Sequence, residues 1–459
     1  SAYEVVGQFD VTRAERALNE IMLRHEVLRT NFVSNDAGTF QVINEAASLS
    51  LETVDLRGHS DSADTIAALI GQEQSLAWDL SSDLMMRCQF IQTDEQEGVL
   101  MFNMHHIASD GWSMGILVEE FVTLYEAYGR GEESPLVALP IQYADYAVWQ
   151  RNEESQAAQA QGLAYWEEQL AGLPPVHSMP LDYVRPAEQS SAGAYIERKV
   201  SQRVKEELQA LALKHDCTLF MVLHAAFGAL LSRHSGQSDI VLGTPVANRM
   251  QAEVAPLIGC FMNTLVLRSQ CEATQSFTEH LSQVRDVNLA AQQHQSIPFE
   301  QLVERLQPER STSYSPLFQI MFSMNTNDTS ALTLSGATLT PRVEQQGSAM
   351  YELTLDVVQE DDGLVFHFEY NTDVFAACTI ERLAARFEVM LRSILSGPEQ
   401  PLGELEILPE DEQTYLLSGL NETASPYDTQ LCVHEKLEWF ASQTPDAIAL
   451  VCGDEVLTY

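Results

Sequence analysis

A buried strand, a tight turn and an amphipathic helix follow one another without a linker between residues 99 and 128, and this order leaves few folds open. Residues 99–104 are almost continuously apolar, which is typical of a buried strand. From Ile116 to Tyr128, apolar residues recur at the spacing of an amphipathic helix. The turn at residues 105–113 reads His-His-Ile-Ala-Ser-Asp-Gly-Trp-Ser. Rigid elements on both sides make such a turn a suitable place for reactive side chains.

Short strands alternate with longer helices along most of the chain, which predicts an α/β fold. A proline-rich stretch around residues 174–186 divides this pattern into two similar halves. We therefore predict an N-terminal lobe over residues 1–172 and a C-terminal lobe over 173–395. Gly, Pro, Glu and Asp become frequent over 396–430, which predicts a linker, and residues 431–459 begin a further unit. Both ends fall inside strand or helix patterns, so we expect the chain to be part of a longer polypeptide.

Charge and cysteine content exclude several classes of protein. The 459 residues carry 25 Lys and Arg against 66 Asp and Glu, a net charge of −41, which argues against binding nucleic acid or anionic membrane surfaces. The longest apolar run, residues 217–231, is interrupted by His224 and is too short to cross a bilayer, so we predict a buried helix. We expect no signal peptide. Seven scattered cysteines without a Cys-x-x-Cys pair indicate a reduced, cytoplasmic protein with no disulfide framework.

Three kinds of chemistry can be considered for the histidine turn, and the sequence argues against two of them. His105, His106 and Asp110 are metal-ligand types, but adjacent histidines in an extended segment point to opposite faces, so we predict no metal site. A serine hydrolase would need a Gly-x-Ser-x-Gly elbow, which the sequence lacks. General-base or positioning chemistry by a histidine remains, because the pKa of imidazole is about 6.5.

The turn and four further stretches, in this order, resemble condensation domains of nonribosomal peptide synthetases, relatives of chloramphenicol acetyltransferase. The turn matches the family signature His-His-x-x-x-Asp-Gly. The other stretches are RHEVLRTNF at 24–32, YADYAVW at 143–149, IGCFMNTLVLR at 258–268 and HQSIPFE at 294–300. The resemblance covers roughly residues 1–395.

This resemblance implies two acetyltransferase-like lobes that form a V-shaped pseudodimer with a tunnel between them. It also implies a reaction, the attack of an acceptor aminoacyl thioester's amine on a donor aminoacyl or peptidyl thioester. The 4′-phosphopantetheine arms of upstream donor and downstream acceptor carrier domains present both substrates. The domain itself is then expected to bind no cofactor and to be monomeric as a fragment.

The resemblance also assigns roles to residues of this chain. It implies that His106 holds the acceptor amine and accepts its proton, while His105 packs beside it. Asp110 shapes the turn through an ion pair with a buried arginine, for which Arg29 and Arg249 are both candidates. Gly111 is expected to adopt a backbone conformation closed to other residues and to help hold a substrate carbonyl. Expected tunnel or substrate contacts are Trp112, Ser113, Asn263 and His294.

The chain departs from the family pattern in three places. The family's first motif, Ser-x-x-Gln-x-Arg, is missing, which agrees with a chain that starts late. The last motif survives only as RSTSYSPL at 310–317, without its charged interior, and Ser296 stands where Asp is usual.

Related types of domain differ from this chain at the signature turn. Epimerisation domains tend to have a different continuation after the glycine, and heterocyclisation domains replace the histidines with Asp. A silent docking domain usually lacks one histidine, and both are present here, so catalysis is favoured. Trp112-Ser113-Met114 and residues 24–32 most resemble the subtype that joins an L-configured donor to an L-configured acceptor, with a D-donor subtype as the alternative. Residues 433–459 resemble the start of an adjoining adenylation domain.

Overall fold

The computed structural model describes residues 1–45, 48–59, 62–325, 331–342, 347–426 and 430–459. The described strands are β1 Ala2–Gly7, β2 Thr30–Asn35, β3 Gly38–Ile43, β4 Glu52–Asp55, β5 Met86–Asp94, β6 Glu97–Met104, β7 Gly193–Ser201, β8 Asp239–Val246, β9 Asn263–Gln270, β10 Ile320–Asn325, β11 Leu332–Leu334, β12 Ala337–Arg342, β13 Leu353–Glu360, β14 Gly363–Asn371, β15 Ile448–Cys452 and β16 Glu455–Thr458. The described helices are α1 Val11–Arg24, α2 Ser62–Ser75, α3 Gly111–Gly129, α4 Tyr143–Gln150, α5 Glu153–Gln169, α6 Gln202–Lys214, α7 Leu219–Ser235, α8 Phe277–Gln293, α9 Phe299–Leu306, α10 Ala377–Ser396, α11 Glu410–Leu417 and α12 Val433–Gln443.

The first sheet has six strands in the order β11-β12-β1-β6-β5-β4. Helices α1 and α3 contribute buried apolar side chains to the same core as β5 and β6, including Leu18 of α1 and Phe121 of α3. The apolar stripe predicted for α1 is the face that enters this core, because its spacing puts those residues on one side of the helix. The sheet thus fixes the end of β6, where the histidine turn begins.

The second sheet also has six strands, in the order β7-β14-β13-β10-β8-β9. Its β8, β10 and β13 are parallel to one another, while β9, β14 and β7 pair antiparallel. Helix α7 is buried from Leu219 to Leu231 except at Phe220, as its continuous apolar sequence predicts. The prediction of an α/β fold with two lobes is therefore confirmed, each lobe having its own sheet and core.

The compact units differ from the predicted boundaries. Residues 1–407 form one unit and residues 408–459 a second. Leu402 and Leu405, predicted to lie in a linker, are buried in the core of the second sheet. Strands β11 and β12, from the second half of the chain, add to the first sheet beside β1. The second half of the chain therefore contributes a strand pair to the sheet of the first lobe.

Among the helices described, none is long and apolar enough by itself to span a bilayer. Helices α6 and α7 reach that length and composition only together, with a bend of 100° between them.

Buried His224 on α7 predicts that stability depends on pH. Its Nδ1 accepts a hydrogen bond from Asn288 at 3.0 Å, and burial, helped by nearby His280, lowers its pKa to about 3. Below about pH 6.5 the unfolded chain protonates this histidine while the folded protein does not. The unfolded state then binds more protons, so the stability of the fold decreases as the pH is lowered. We expect His224 to account for a loss of about 2 kcal/mol between pH 7 and pH 5.

Urea unfolding at both pH values measures this loss. The variant His224→Gln should show a smaller difference between the two pH values than the wild type. An unchanged difference would contradict the assignment to His224.

Candidate active site

The histidine turn connects the middle of the first sheet to the N-terminus of α3. Strand β6 lies between β1 and β5 and ends at Met104. A 3₁₀ turn over His106–Ala108 follows, and α3 begins at Gly111. Asp110 caps α3, because its carboxylate accepts the Ser113 N–H at 2.9 Å. The turn is thus fixed at both ends by regular structure.

The Asp110 carboxylate is buried and fully hydrogen-bonded. Oδ1 accepts from the Ser113 hydroxyl at 2.7 Å and from Arg249 Nη2 at 3.0 Å. Oδ2 accepts the Phe261 N–H at 3.0 Å and lies 3.3 Å from the same Arg249 nitrogen. The Asp110 and Arg249 side chains are only 2% and 3% exposed, so the ion pair is shielded from solvent. Removing either partner would leave a buried charge without compensation.

Of the two arginines considered as partners, the structure joins Arg249 to Asp110. Arg249 Nη1 also donates to the carbonyls of Val254 and Leu257 at 2.8 and 2.6 Å. Burial lowers the pKa of Arg249, and the attraction of Asp110 opposes this shift. Arg29 instead donates to the Asn44 carbonyl at 2.5 Å and pairs with Glu26 at 3.6 Å.

The two histidines have different surroundings. His105 Nδ1 accepts the Ile107 N–H at 3.0 Å, and its ring packs edge-on against Trp78 with centroids 5.7 Å apart. Burial, with a smaller effect of His106, lowers the pKa of His105. The His106 side chain is exposed, and its Nδ1 lies 3.8 Å from the Cys260 thiol. This geometry makes His106 the histidine available to a substrate.

Residues 258–261, from the second half of the chain, are bound to side chains of the first half; we call them the clamped segment. The Ile258 N–H donates to His25 Nδ1 at 3.3 Å, and the Gly259 N–H donates to the Ser113 hydroxyl at 3.1 Å. The Cys260 carbonyl accepts from the Tyr143 hydroxyl at 2.8 Å. Together with the bond between Phe261 and Asp110, these contacts fix the segment beside the turn.

A cavity of about 360 Å³ adjoins the start of α3. Gly111 and Trp112 line one side, and Pro245, Met262 and Leu265 are among its apolar lining residues. Its polar lining residues are Asp110, Thr244, Asn288, Gln292, Ser323 and Asn325. The Trp112 side chain is 53% exposed, while its indole N–H donates to the Ala255 carbonyl at 3.1 Å. The cavity can therefore hold an apolar group while offering hydrogen-bonding side chains.

The predicted backbone role of Gly111 is wrong. Gly111 is the first residue of α3, its φ is not positive, and an added Cβ would meet no atom within 4 Å. The backbone at position 111 would thus tolerate a residue with a side chain. Gly111 also lines the cavity beside the turn.

Asn263 is bound to the loop between helices α8 and α9, and His294 lies at the start of that loop. Asn263 Nδ2 donates to the carbonyls of Gln295 and Ile297 at 2.8 and 2.5 Å, and its Oδ1 accepts the Phe299 N–H at 3.0 Å. His294 ends α8 and stacks on Tyr165 of α5, with ring centroids 4.4 Å apart.

Ser113, another predicted substrate contact, is fully buried. Its hydroxyl donates to the Asp110 carboxylate and lies 3.0 Å from the Gly259 carbonyl, so it bridges the turn to the clamped segment. The side chain is occupied by these contacts rather than open to a substrate.

Sequence reasoning missed a buried network below the turn. Glu120 of α3 lies 2.9 Å from His25 Nε2 and accepts from Arg24 Nε at 2.8 Å. His25 Nδ1 accepts the Ile258 N–H, so the ring Nε2 carries a proton and donates to Glu120. The signal was present as a glutamate on the apolar face of α3, where an unpaired charge would be costly.

Within the part of the chain that the structure describes, no group of three or more His, Cys, Asp or Glu side chains could hold a metal ion. His105 and His106 thus have no third potential ligand among the described residues.

The chain is similar to parts of much longer synthases and synthetases. It is 40% identical over 463 residues to one of the chains of linear gramicidin synthase from Brevibacillus parabrevis. It is also 40% identical over 458 residues to malpinin synthetase of Mortierella alpina. All of the chain is covered in both cases, but it spans only 9% and 6% of these relatives.

Solved structures share the fold. One is a four-domain nonribosomal peptide synthetase bound to AMP and glycine, with a TM-score of 0.85 and 25% sequence identity. The match covers 100% of this chain and 35% of the synthetase chain. The X-domain from teicoplanin biosynthesis, solved in complex with OxyB, matches at a TM-score of 0.80 and 26% identity, covering 89% of this chain and 91% of that one. The family model described as "Condensation domain" matches residues 1–417. The chain therefore belongs to the condensation-domain family.

Proposed function

We propose that this domain forms a peptide bond between two carrier-bound substrates in nonribosomal peptide synthesis. The amine of an acceptor aminoacyl thioester attacks the carbonyl of a donor aminoacyl or peptidyl thioester. A C–N bond forms, the C–S bond breaks, the amine gives up a proton and the leaving thiolate takes one up. The observation that carries this proposal is exposed His106 on a turn where Asp110 is buried and paired.

His106 is the residue that we assign to the amine. Its ring can hold the attacking nitrogen and accept its proton as the bond forms. A free α-amine has a pKa of about 7.7–8.0, so a useful fraction is neutral without any base. Base catalysis supplies about 10²- to 10⁴-fold, or roughly 3–5 kcal/mol, whereas positioning supplies roughly 7–11 kcal/mol. Positioning of the two tethered substrates is therefore the larger contribution.

The other residues of the turn serve its shape. Asp110, Ser113 and Arg249 maintain the conformation that presents His106, and His105 supports it by packing and by accepting the Ile107 N–H. The cavity beside Gly111 and Trp112 is a suitable place for a substrate group, because it adjoins the turn and mixes apolar with polar lining. A tunnel between the lobes would bring both substrates to His106.

The substrates imply partners beyond this chain. We propose upstream donor and downstream acceptor carrier domains, whose phosphopantetheine thiols carry the substrates. Residues 433–459, with α12 and the hairpin of β15 and β16, are proposed as the start of an adjoining adenylation domain. Exposed Trp439 and Leu450 support this proposal, since the remainder of such a domain would cover them. The seven free cysteines are compatible with a cytoplasmic location.

A reconstitution with loaded carrier domains tests the activity. The domain is mixed with a donor carrier that bears an L- or a D-aminoacyl thioester and an acceptor carrier that bears an L-aminoacyl thioester. We expect dipeptidyl thioester on the acceptor carrier, formed faster from the L-donor. Faster product formation from the D-donor would assign the domain to the D-donor subtype in place of the L-donor subtype. If neither donor gives product with any of several amino acids, condensation is contradicted and a docking role is favoured.

A further inference from the structure

A thiol lies against the histidine that we assign to catalysis. Cys260 Sγ is 3.8 Å from His106 Nδ1, within hydrogen-bonding range for sulfur. Among the described residues, no protein atom is hydrogen-bonded to His106 Nε2, so the ring has one occupied nitrogen and one open nitrogen. Which nitrogen carries the proton decides whether the open one can accept another.

The clamped segment places this thiol. The Tyr143 hydroxyl holds the Cys260 carbonyl, and the flanking N–H groups of Gly259 and Phe261 donate to Ser113 and Asp110. The backbone on both sides of Cys260 is therefore fixed to the element that carries His106. A thiol held in this way can act on the ring with little freedom of its own.

Burial, with a smaller effect of Asp110, raises the pKa of the Cys260 thiol, so it stays protonated at neutral pH. A neutral thiol sulfur can accept a hydrogen bond, although weakly. A histidine side chain in water favours the tautomer with its proton on Nε2, and in this tautomer the open nitrogen of His106 cannot accept a proton. A hydrogen bond from Nδ1–H to the sulfur opposes that preference, whereas a hydrogen bond from the thiol to Nδ1 would reinforce it.

We propose that Cys260 is a positioning residue that selects the Nδ1–H tautomer of His106. The Nδ1–H donates to the Cys260 sulfur, and the lone pair on Nε2 is then free to receive the proton of the acceptor amine. This inference rests on the proposed function for its consequence in catalysis, but the tautomer itself is a property of the free domain.

The tautomer is measured first, without any substrate. Ring-nitrogen chemical shifts are recorded on the domain labelled with ¹⁵N-histidine, and His106 is assigned by the signals lost in His106→Gln. The wild type is expected to show the Nδ1–H tautomer, Cys260→Ala the Nε2–H tautomer, and Cys260→Ser the wild-type pattern. Cys260→Val keeps the volume without an acceptor and serves as a second test if the alanine variant does not fold.

Kinetics with loaded carrier domains then measure the consequence. Cys260→Ala and Cys260→Val are expected to lower kcat about threefold to tenfold, with the KM for both carriers unchanged. Cys260→Ser is expected to keep the wild-type kcat. The matched control is Cys378→Ala, which removes an exposed thiol on α10 and should change nothing.

The tautomer result decides the proposal. A wild type with its proton on Nε2, or an alanine variant with the wild-type pattern, would overturn it. If the wild-type domain makes no peptide bond, the proposed function fails, while the nitrogen shifts still show whether Cys260 selects the tautomer.

Discussion

Replacing His106 with alanine should slow peptide-bond formation by about 10²- to 10⁴-fold. The imidazole is exposed on the turn, and its loss removes both the contact that orients the amine and the acceptor for its proton. Because the side chain is exposed, the free energy of unfolding should change by less than about 0.5 kcal/mol. Single-turnover transfer between loaded carriers measures the rate, and urea unfolding measures the stability.

The matched control is His59→Ala, which removes an exposed histidine outside the site. This variant should keep the wild-type rate, and loading of the donor carrier should be normal in both reactions. A loss of less than about tenfold in His106→Ala would be too small for the proposed role.

The substitution Asp110→Asn should destabilise the domain by about 3–5 kcal/mol and inactivate it through the shape of the turn. A neutral amide cannot compensate the buried Arg249 guanidinium, and one of its two polar atoms can no longer accept from Phe261 or Arg249. Urea unfolding of the variant should show a clearly lower midpoint, with peptide formation lost in parallel.

The surface pair of Glu388 and Arg392 provides the comparison. Arg392 Nη2 lies 2.6 Å from Glu388 Oε1 and the Arg392 side chain is 66% exposed, so Glu388→Gln should cost no more than about 0.5 kcal/mol. An Asp110→Asn variant that lost activity with an unchanged unfolding midpoint would instead place Asp110 in contact with the reacting groups.

Local sequence patterns were sufficient for the histidine turn. The apolar run before His105 and the spacing after Gly111 each fix one element, and Asp110 is a preferred residue type for a helix N-cap. The two-lobed α/β fold followed from the same kind of pattern. These features depend on neighbours within a few residues, which a sequence displays directly.

Contacts between distant segments were beyond such patterns. Arg29 and Arg249 were equally suitable as partners of Asp110, and only the path of the chain brings Arg249, from the other lobe, to within 3.0 Å. Asn263 was expected to be a tunnel or substrate contact. Its amide is bonded to the backbone of a loop more than thirty residues away in the chain, a partner that the sequence did not indicate. Burial of a polar group shows that it has a partner, but not which one.

The strand pair β11 and β12 has a consequence for how this protein is made on the ribosome. Ala2 pairs with Arg342, so this edge of β1 has no partner until the ribosome has synthesised the residues of β12. At about 5–20 residues per second, the roughly 170 residues between the first lobe and the end of β12 take roughly 9–34 s. During that interval the nascent first sheet carries an unpaired strand edge, a feature prone to aggregation. Residues 1–172 expressed alone would retain that open edge permanently, so the first lobe depends on the second for a complete sheet.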